Sequence, residues 1–119
     1  MSESSDNPMK RFSRVARSTV SHVTRMREET LFRDGEIDAK TKVMAAMLWS
    51  VSVRCEPCLE FYARKARELG ATEAEIGEML SIAPAMGACV GETWAVKAFA
   101  AASGEGSEGG TETNGNDCC

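Results

Sequence analysis

The sequence has few aromatic residues, few prolines and no long apolar run. Phe, Trp and Tyr make up 6% of its 119 residues, and there are three prolines. This scarcity, together with plentiful alanine and methionine, favours helices over a β-sandwich. Without a run of about 18 apolar residues, we expect no membrane span. The polar start MSESSDNPMKRF lacks the apolar core of a secretory signal, so a cytoplasmic protein is expected.

Charge and cysteine content narrow the chemistry further. The chain has 14 Lys and Arg against 18 Asp and Glu, a net charge of −4, which argues against a nucleic-acid partner. Five cysteines in a chain with no secretory signal indicate redox or metal chemistry rather than a disulfide scaffold.

Composition changes after Ala102. Residues 103–119 contain no aliphatic or aromatic side chain and no Lys or Arg, and they end in Cys118 and Cys119. Such a segment cannot bury enough surface to offset the entropy lost on ordering, so a disordered acidic tail is predicted. Residues 8–102 remain as one helical domain with a modest core.

Apolar periodicity predicts an all-α fold of about five helices. A first helix with an apolar stripe covers residues 9–31. A second helix, capped by Asp38, runs to about Val53 and is apolar on nearly every side, which is typical of a buried helix or of one shared with another subunit. A third begins near Cys55 and ends at Gly70, whose freedom to adopt positive φ suits a helix end.

The last third of the domain is predicted to contain two further helices. A capping box at Thr72 opens the fourth helix, which Pro84 should kink or end. Two glycines on either side of Cys89 are expected to frame a turn, and a last helix covers about residues 92–102.

The clearest chemical signal is a Cys-Glu-Pro-Cys motif formed by Cys55 to Cys58. Two cysteines three apart at a helix start lie on one face of the first turn, where their sulfurs can bond. The helix dipole and unpaired N–H groups stabilise a thiolate there, and thiol pKa values in such motifs fall from about 8.5 to roughly 3.5–7.5. The motif therefore favours thiol–disulfide exchange, or peroxide reduction through a sulfenic acid.

Spacing alone leaves two alternatives open for these cysteines. One is a thiolate metal site in which Cys89, with Cys118 or Cys119, joins the motif. The only histidine, His22, is remote in sequence and no second CxxC pair exists, so a conventional zinc site is not complete locally. The other alternative is a pair of inert buried thiols.

Further spaced residues accompany the motif and carry a resemblance to a known family. They are Cys55-Glu56-Pro57-Cys58-Leu59, Ala66-x-x-Leu69-Gly70-Ala71-Thr72-x-x-Glu75-Ile76, Ala83-x-x-Met86-Gly87 and the segment 89–98. With these residues, the stretch from Asp38 to Ala101 resembles the carboxymuconolactone decarboxylase / alkylhydroperoxidase D-like (AhpD-like) family. The resemblance implies an all-helical protomer that assembles into homo-trimers or homo-hexamers. We expect no cofactor.

The resemblance also implies roles for the two cysteines. In the peroxidase-type members the second cysteine is reactive and the first forms the disulfide with it. Carried over, Cys58 attacks a peroxide or exchanges with a protein disulfide, Cys55 resolves, and a thiol reductant restores both. Those members relay the proton through a Glu and a His, whose matching positions here hold Val43 and Tyr62. Decarboxylase members lack the CxxC motif, so its presence argues against a lactone decarboxylase.

Other residues could replace the missing relay. In the resembled fold the turn before the last helix packs near the CxxC motif, so we expect Glu92 to assist Cys58. Tyr62 would orient the thiolate. The alternatives are that Glu92 interacts only with the dipole of its own helix and that Tyr62 is a core aromatic residue.

Overall fold

The computed structural model describes residues 7–105, which form five α-helices and no strand. In chain order they are α1 (Pro8–Val15), α2 (Arg17–Leu31), α3 (Ala39–Ser52), α4 (Glu56–Glu68) and α5 (Glu73–Ala102). The predicted all-α class is therefore confirmed. Most of the predicted tail, including Cys118 and Cys119, lies outside the described residues.

Side-chain caps fix three of the helix starts. Asn7 accepts a hydrogen bond from the Met9 N–H at the start of α1. Asp38 accepts one from the Thr41 N–H, as its predicted capping role requires. At the start of α5, Thr72 and Glu75 exchange hydrogen bonds of 2.9 and 3.0 Å between side chain and backbone, which confirms the capping box. Each cap satisfies N–H groups that a helix cannot pair internally.

The break between α1 and α2 was not predicted. The predicted first helix is two helices, because Ala16 leaves the helical region with φ −108° and ψ 45°. Apolar periodicity continues across such a one-residue break and cannot reveal it. No residue of α1 or α2 is buried, although the sequence predicted an apolar stripe there.

The predicted turn around Cys89 was wrong, because α5 is one helix of 30 residues that continues through Pro84. Neither glycine beside Cys89 has a positive φ, unlike Gly70, which ends α4 with φ 95° as predicted. A proline inside a helix costs roughly 3 kcal/mol through a lost N–H and a ring clash. The Leu80 carbonyl lacks the N–H donor that residue 84 would normally supply. Because Pro84 is exposed, water can bind this carbonyl instead.

The hydrophobic core lies where α3 meets α4 and the first half of α5. Its buried members come from α3, α4 and the loop after α4: Val43, Met44, Met47, Tyr62, Ala66 and Ala71. Val43 and Met47 are 0% and 1% exposed. Three of these six core residues belong to α3, but Trp49 on the same helix is 64% exposed, so α3 is buried on one side only.

The second half of α5 lies largely outside this core. Cys89 is its one buried residue, whereas four large apolar side chains on it are exposed: Val90, Trp94, Val96 and Phe99. By length and composition alone, α5 could also cross a membrane, a weak indication that core helices of soluble proteins share. The sequence-based expectation of no membrane span is therefore left open by this helix.

Candidate functional site

The two motif cysteines lie at the start of α4 and are joined in a disulfide. Cys55 is the N-cap residue, with extended backbone angles, and Cys58 lies in the first turn of the helix. Their Cα atoms are 5.3 Å apart. Pro57, in the same turn, replaces an N–H that has no partner within the helix. The sequence therefore predicted both the location of the motif and the closeness of the sulfurs.

A tight connection from α3 holds Cys55 in place. The Cys55 N–H donates a 2.9 Å hydrogen bond to the carbonyl of Ser50, which is itself 1% exposed. Ser50 Oγ donates in turn to the Ala46 carbonyl at 2.7 Å. Arg54, between the helices, adopts φ 58°, the left-handed region that costs a non-glycine residue roughly 1–2 kcal/mol. This turn directs the chain from the end of α3 into the first turn of α4.

A cleft of about 370 Å³ opens beside Cys58, between α4 on one side and α2 with its following residue on the other. On the α4 side its lining is Pro57, Cys58, Phe61 and Tyr62, and on the opposite side Thr24, Arg27, Glu28 and Phe32. Cys55 is not part of this lining. Of the two bonded sulfurs, the cleft therefore presents that of Cys58.

Tyr62 belongs to both the cleft and the core. It lies one turn after Cys58, is 8% exposed and packs in the buried cluster. Its ring stacks on Phe32 with centroids 6.4 Å apart and meets Phe61 edge-on at 5.0 Å. Lys65 places its ammonium 5.3 Å from the centre of the Phe32 ring. These contacts connect Phe32, which follows α2, with the α4 side of the cleft.

The two positions that match the proton relay of the resembled peroxidases differ in their surroundings. Val43 is completely buried in the core, and an aliphatic side chain there cannot carry a proton. Tyr62 has a hydroxyl and lines the cleft. Only the second of these positions can therefore take part in hydrogen bonding at the site.

The structure does not place Glu92 or Cys89 in the lining of this cleft. Glu92 is an exposed residue in the middle of α5, and Cys89 is 2% exposed on the same helix. The role of Glu92 in assisting Cys58 stays a prediction. Among residues 7–105, no three His, Cys, Asp or Glu side chains come together as a metal site requires, so the metal alternative with Cys55, Cys58 and Cys89 gains no support from this geometry.

The sequence does not predict the side of the cleft that α2 supplies. Neither Arg27 nor Glu28 stands in a motif that indicates a role at Cys58. Both residues precede Cys58 by about 30 positions, and no motif or spacing connects them to it. A second pocket, of about 430 Å³, is lined by polar residues of α2 and by Arg33 alone and does not include either motif cysteine.

These features define a small all-helical protein with a bonded cysteine pair at a helix start and, beside the second sulfur, a cleft lined by aromatic and charged residues. Residues 19–101 match the family model described as "Carboxymuconolactone decarboxylase family". The chain therefore belongs to the carboxymuconolactone decarboxylase family, as the resemblance predicted. No match was found among curated proteins or among solved structures.

Proposed function

We propose that this protein is a cytoplasmic thiol–disulfide oxidoreductase of the peroxidase type, with Cys58 as the reactive thiol and Cys55 as the resolving thiol. The observation that carries the proposal is that Cys58 lines the cleft while bonded to Cys55. Apolar and aromatic walls around a sulfur suit an organic hydroperoxide better than a strongly hydrated substrate.

The first chemical step forms a sulfenic acid. The Cys58 thiolate attacks the terminal oxygen of the hydroperoxide, the O–O bond breaks, and the departing alkoxide takes up a proton to leave as an alcohol. The position of Cys58 in the first turn of α4 favours the thiolate, because the helix dipole and unpaired N–H groups are directed toward this turn.

The second step produces the disulfide. The sulfur of Cys55 attacks the Cys58 sulfenic acid, an S–S bond forms, and the hydroxyl group leaves as water with the proton of Cys55. An external dithiol then reduces the pair by exchange and becomes a disulfide itself. The Cα separation of 5.3 Å lies within the ordinary range for a disulfide, so the cycle needs little movement of the backbone.

Single-cysteine variants test this assignment. After reduction and brief exposure to cumene hydroperoxide, Cys55→Ser should accumulate a sulfenic acid at Cys58, trapped by dimedone and located by peptide mapping. Cys58→Ser should give no dimedone adduct at Cys55 and should consume no peroxide with dithiothreitol as reductant. The proposal is wrong if Cys55 carries the adduct, or if Cys58→Ser consumes peroxide at the wild-type rate.

We also propose that the protomer assembles into a homo-oligomer, a trimer or hexamer, through the second half of α5. Trp94 and Phe99 are 63% and 75% exposed there, and exposed apolar patches of this extent mark association surfaces. A second copy of the chain is the occupant that the family resemblance implies. It would cover these side chains without a charged partner surface.

Sedimentation analysis of the full chain tests the assembly. Trp94→Glu should lower the mass toward that of the protomer, because a carboxylate would have to be desolvated in the interface. Arg64→Glu, on the exposed face of α4, is the control for the change of charge and should keep the wild-type mass. A monomeric wild-type protein would refute this proposal and leave the chemistry of Cys58 untouched.

A further inference from the structure

The proposed reaction needs a proton carrier at Cys58 that the expected positions do not supply. A proton must leave the thiol before attack, and another must reach the alkoxide as the O–O bond breaks. Val43 is aliphatic and completely buried. Tyr62 can donate a hydrogen bond through its hydroxyl, but phenols are poor general bases near neutral pH.

One carboxylate lines the cleft together with Cys58, and it belongs to Glu28. Glu28 lies in the last turn of α2, on the wall opposite the first turn of α4. The ion pairs among residues 7–105 join Arg25 to Glu29, Lys40 to Glu75 and Lys65 to Glu68. None of them engages Glu28, so its carboxylate is not held by a cation within the described part of the chain.

The surroundings of Glu28 suit a group that exchanges protons. It is exposed as well as part of the cleft lining, so it can exchange protons with water. Arg27 lies beside it in the cleft lining and supplies a positive charge near the place where an alkoxide would form. On its other side, Arg25, Glu29 and Arg33 line the polar pocket that Glu28 also borders.

We propose that Glu28 is the proton carrier of Cys58 and so replaces the relay that this chain lacks. This inference rests on the peroxidase function proposed above. The Glu28 carboxylate accepts the thiol proton, directly or through one water, and Cys58 becomes a thiolate. As the sulfur bonds to the terminal peroxide oxygen, the Glu28 carboxylic acid returns that proton to the departing alkoxide. The products are the Cys58 sulfenic acid and an alcohol, and Glu28 is again a carboxylate.

Comparing two reagents separates proton transfer from simple support of the thiolate. Iodoacetamide releases iodide, which needs no proton, whereas cumene hydroperoxide releases an alkoxide that does. Reduced full-length protein is treated with each reagent, and the rate at Cys58 is followed by quenching and peptide mapping. Glu28→Gln should slow the peroxide reaction by about 100-fold or more, the usual contribution of general acid–base catalysis. The rate with iodoacetamide, which needs the thiolate but no proton for its leaving group, should fall clearly less than the peroxide rate.

Glu29→Gln is the matched control, because it removes a carboxylate from the next residue, which does not line the cleft. It should leave both rates at wild-type values. Circular dichroism should show that each variant is as helical as the wild type, since both positions are exposed. Glu28→Asp, which retains the carboxylate on a shorter side chain, should recover part of the peroxide rate.

Three results would overturn the inference. Glu28→Gln could react with peroxide at the wild-type rate, it could lose both rates equally, or Glu92→Gln could cause the selective loss instead. In each case Glu28 does not carry the proton. The proposed peroxidase function would still stand if wild-type Cys58 reacted rapidly with peroxide. If wild-type Cys58 reacts with peroxide no faster than free cysteine, the peroxidase function itself is wrong, and this step fails with it.

Discussion

Tyr62 offers a test that separates a packing role from a chemical one within a single side chain. Its ring lies in the core, 6.4 Å from the Phe32 ring and 5.0 Å from the Phe61 ring. Its hydroxyl forms no hydrogen bond within residues 7–105, and the residue lines the cleft one turn from Cys58. Substitutions that remove the ring or only the hydroxyl should therefore have different effects.

Tyr62→Leu should destabilise the protein, whereas Tyr62→Phe should not. Each aromatic pair contributes about 0.5–1.5 kcal/mol beyond the burial of its area, so the loss of two pairs alone costs about 1–3 kcal/mol. Tyr62→Phe keeps both pairs and should change the free energy of unfolding by about 1 kcal/mol or less. Urea unfolding at one fixed protein concentration measures both changes, since association would otherwise alter the apparent stability.

The chemical prediction concerns the hydroxyl. A hydrogen bond to a charged group contributes about 1.5–3 kcal/mol, and 1.36 kcal/mol corresponds to a tenfold change in an equilibrium. If the Tyr62 hydroxyl donates to the Cys58 thiolate in the reduced protein, Tyr62→Phe should slow alkylation of Cys58 near neutral pH by about tenfold. If Cys58 is alkylated in Tyr62→Phe at the wild-type rate, Tyr62 acts only as a core aromatic residue. A loss of stability in Tyr62→Phe equal to that in Tyr62→Leu would refute the argument from ring pairs.

Three further predictions concern the scaffold. Thr72→Ala removes the capping box and should cost about 1 kcal/mol, which lowers the melting temperature by about 4–8 °C in a domain of this size. Hydrogen bonds from Thr41 lower the pKa of Asp38, and those from Thr72 and Lys40 lower the pKa of Glu75. These carboxylates therefore stabilise the folded protein fully at a pH above their ordinary pKa values of 3.8 and 4.5. Their contribution is lost as the pH falls through their lowered pKa values in the folded protein. Asp38→Asn with Glu75→Gln should flatten acid unfolding curves in that range, and an unchanged slope would contradict the assignment. Arg54→Gly should raise the free energy of unfolding by up to about 1 kcal/mol in denaturant titrations by relieving a positive φ, whereas Arg54→Val should lower it.

Features encoded by neighbouring residues could be predicted from the sequence. The capping residues Asp38 and Thr72 act within three positions, and Gly70 ends α4 by its own conformational freedom. The Cys55–Cys58 pair is likewise local, since three residues and one helical turn determine the distance between the sulfurs. The contribution of α3 to the core followed from its high content of apolar residues.

Features that depend on competition or on distance could not be predicted. At Pro84 the free-energy cost of a proline inside a helix opposes the stability of the apolar helical segments before and after it. The sequence alone does not show which of the two is larger. At Ala16 one residue interrupts a pattern that is helical before and after it. Glu28 joins the site only because α2 and α4 line the same cleft, a tertiary relation that no local pattern records.

The continuity of α5 also changes the argument about proton transfer. Glu92 was assigned to Cys58 because a turn was expected to bring the start of a short last helix against the CxxC motif. Without that turn, Glu92 is an exposed residue in the middle of a continuous helix, and the local reason for its role disappears. The role of Glu92 stays a prediction, and the proposal for Glu28 places the proton carrier on the α2 side of the cleft instead. Substitutions at these two carboxylates therefore decide between the mechanism expected from the sequence and the one inferred from the fold.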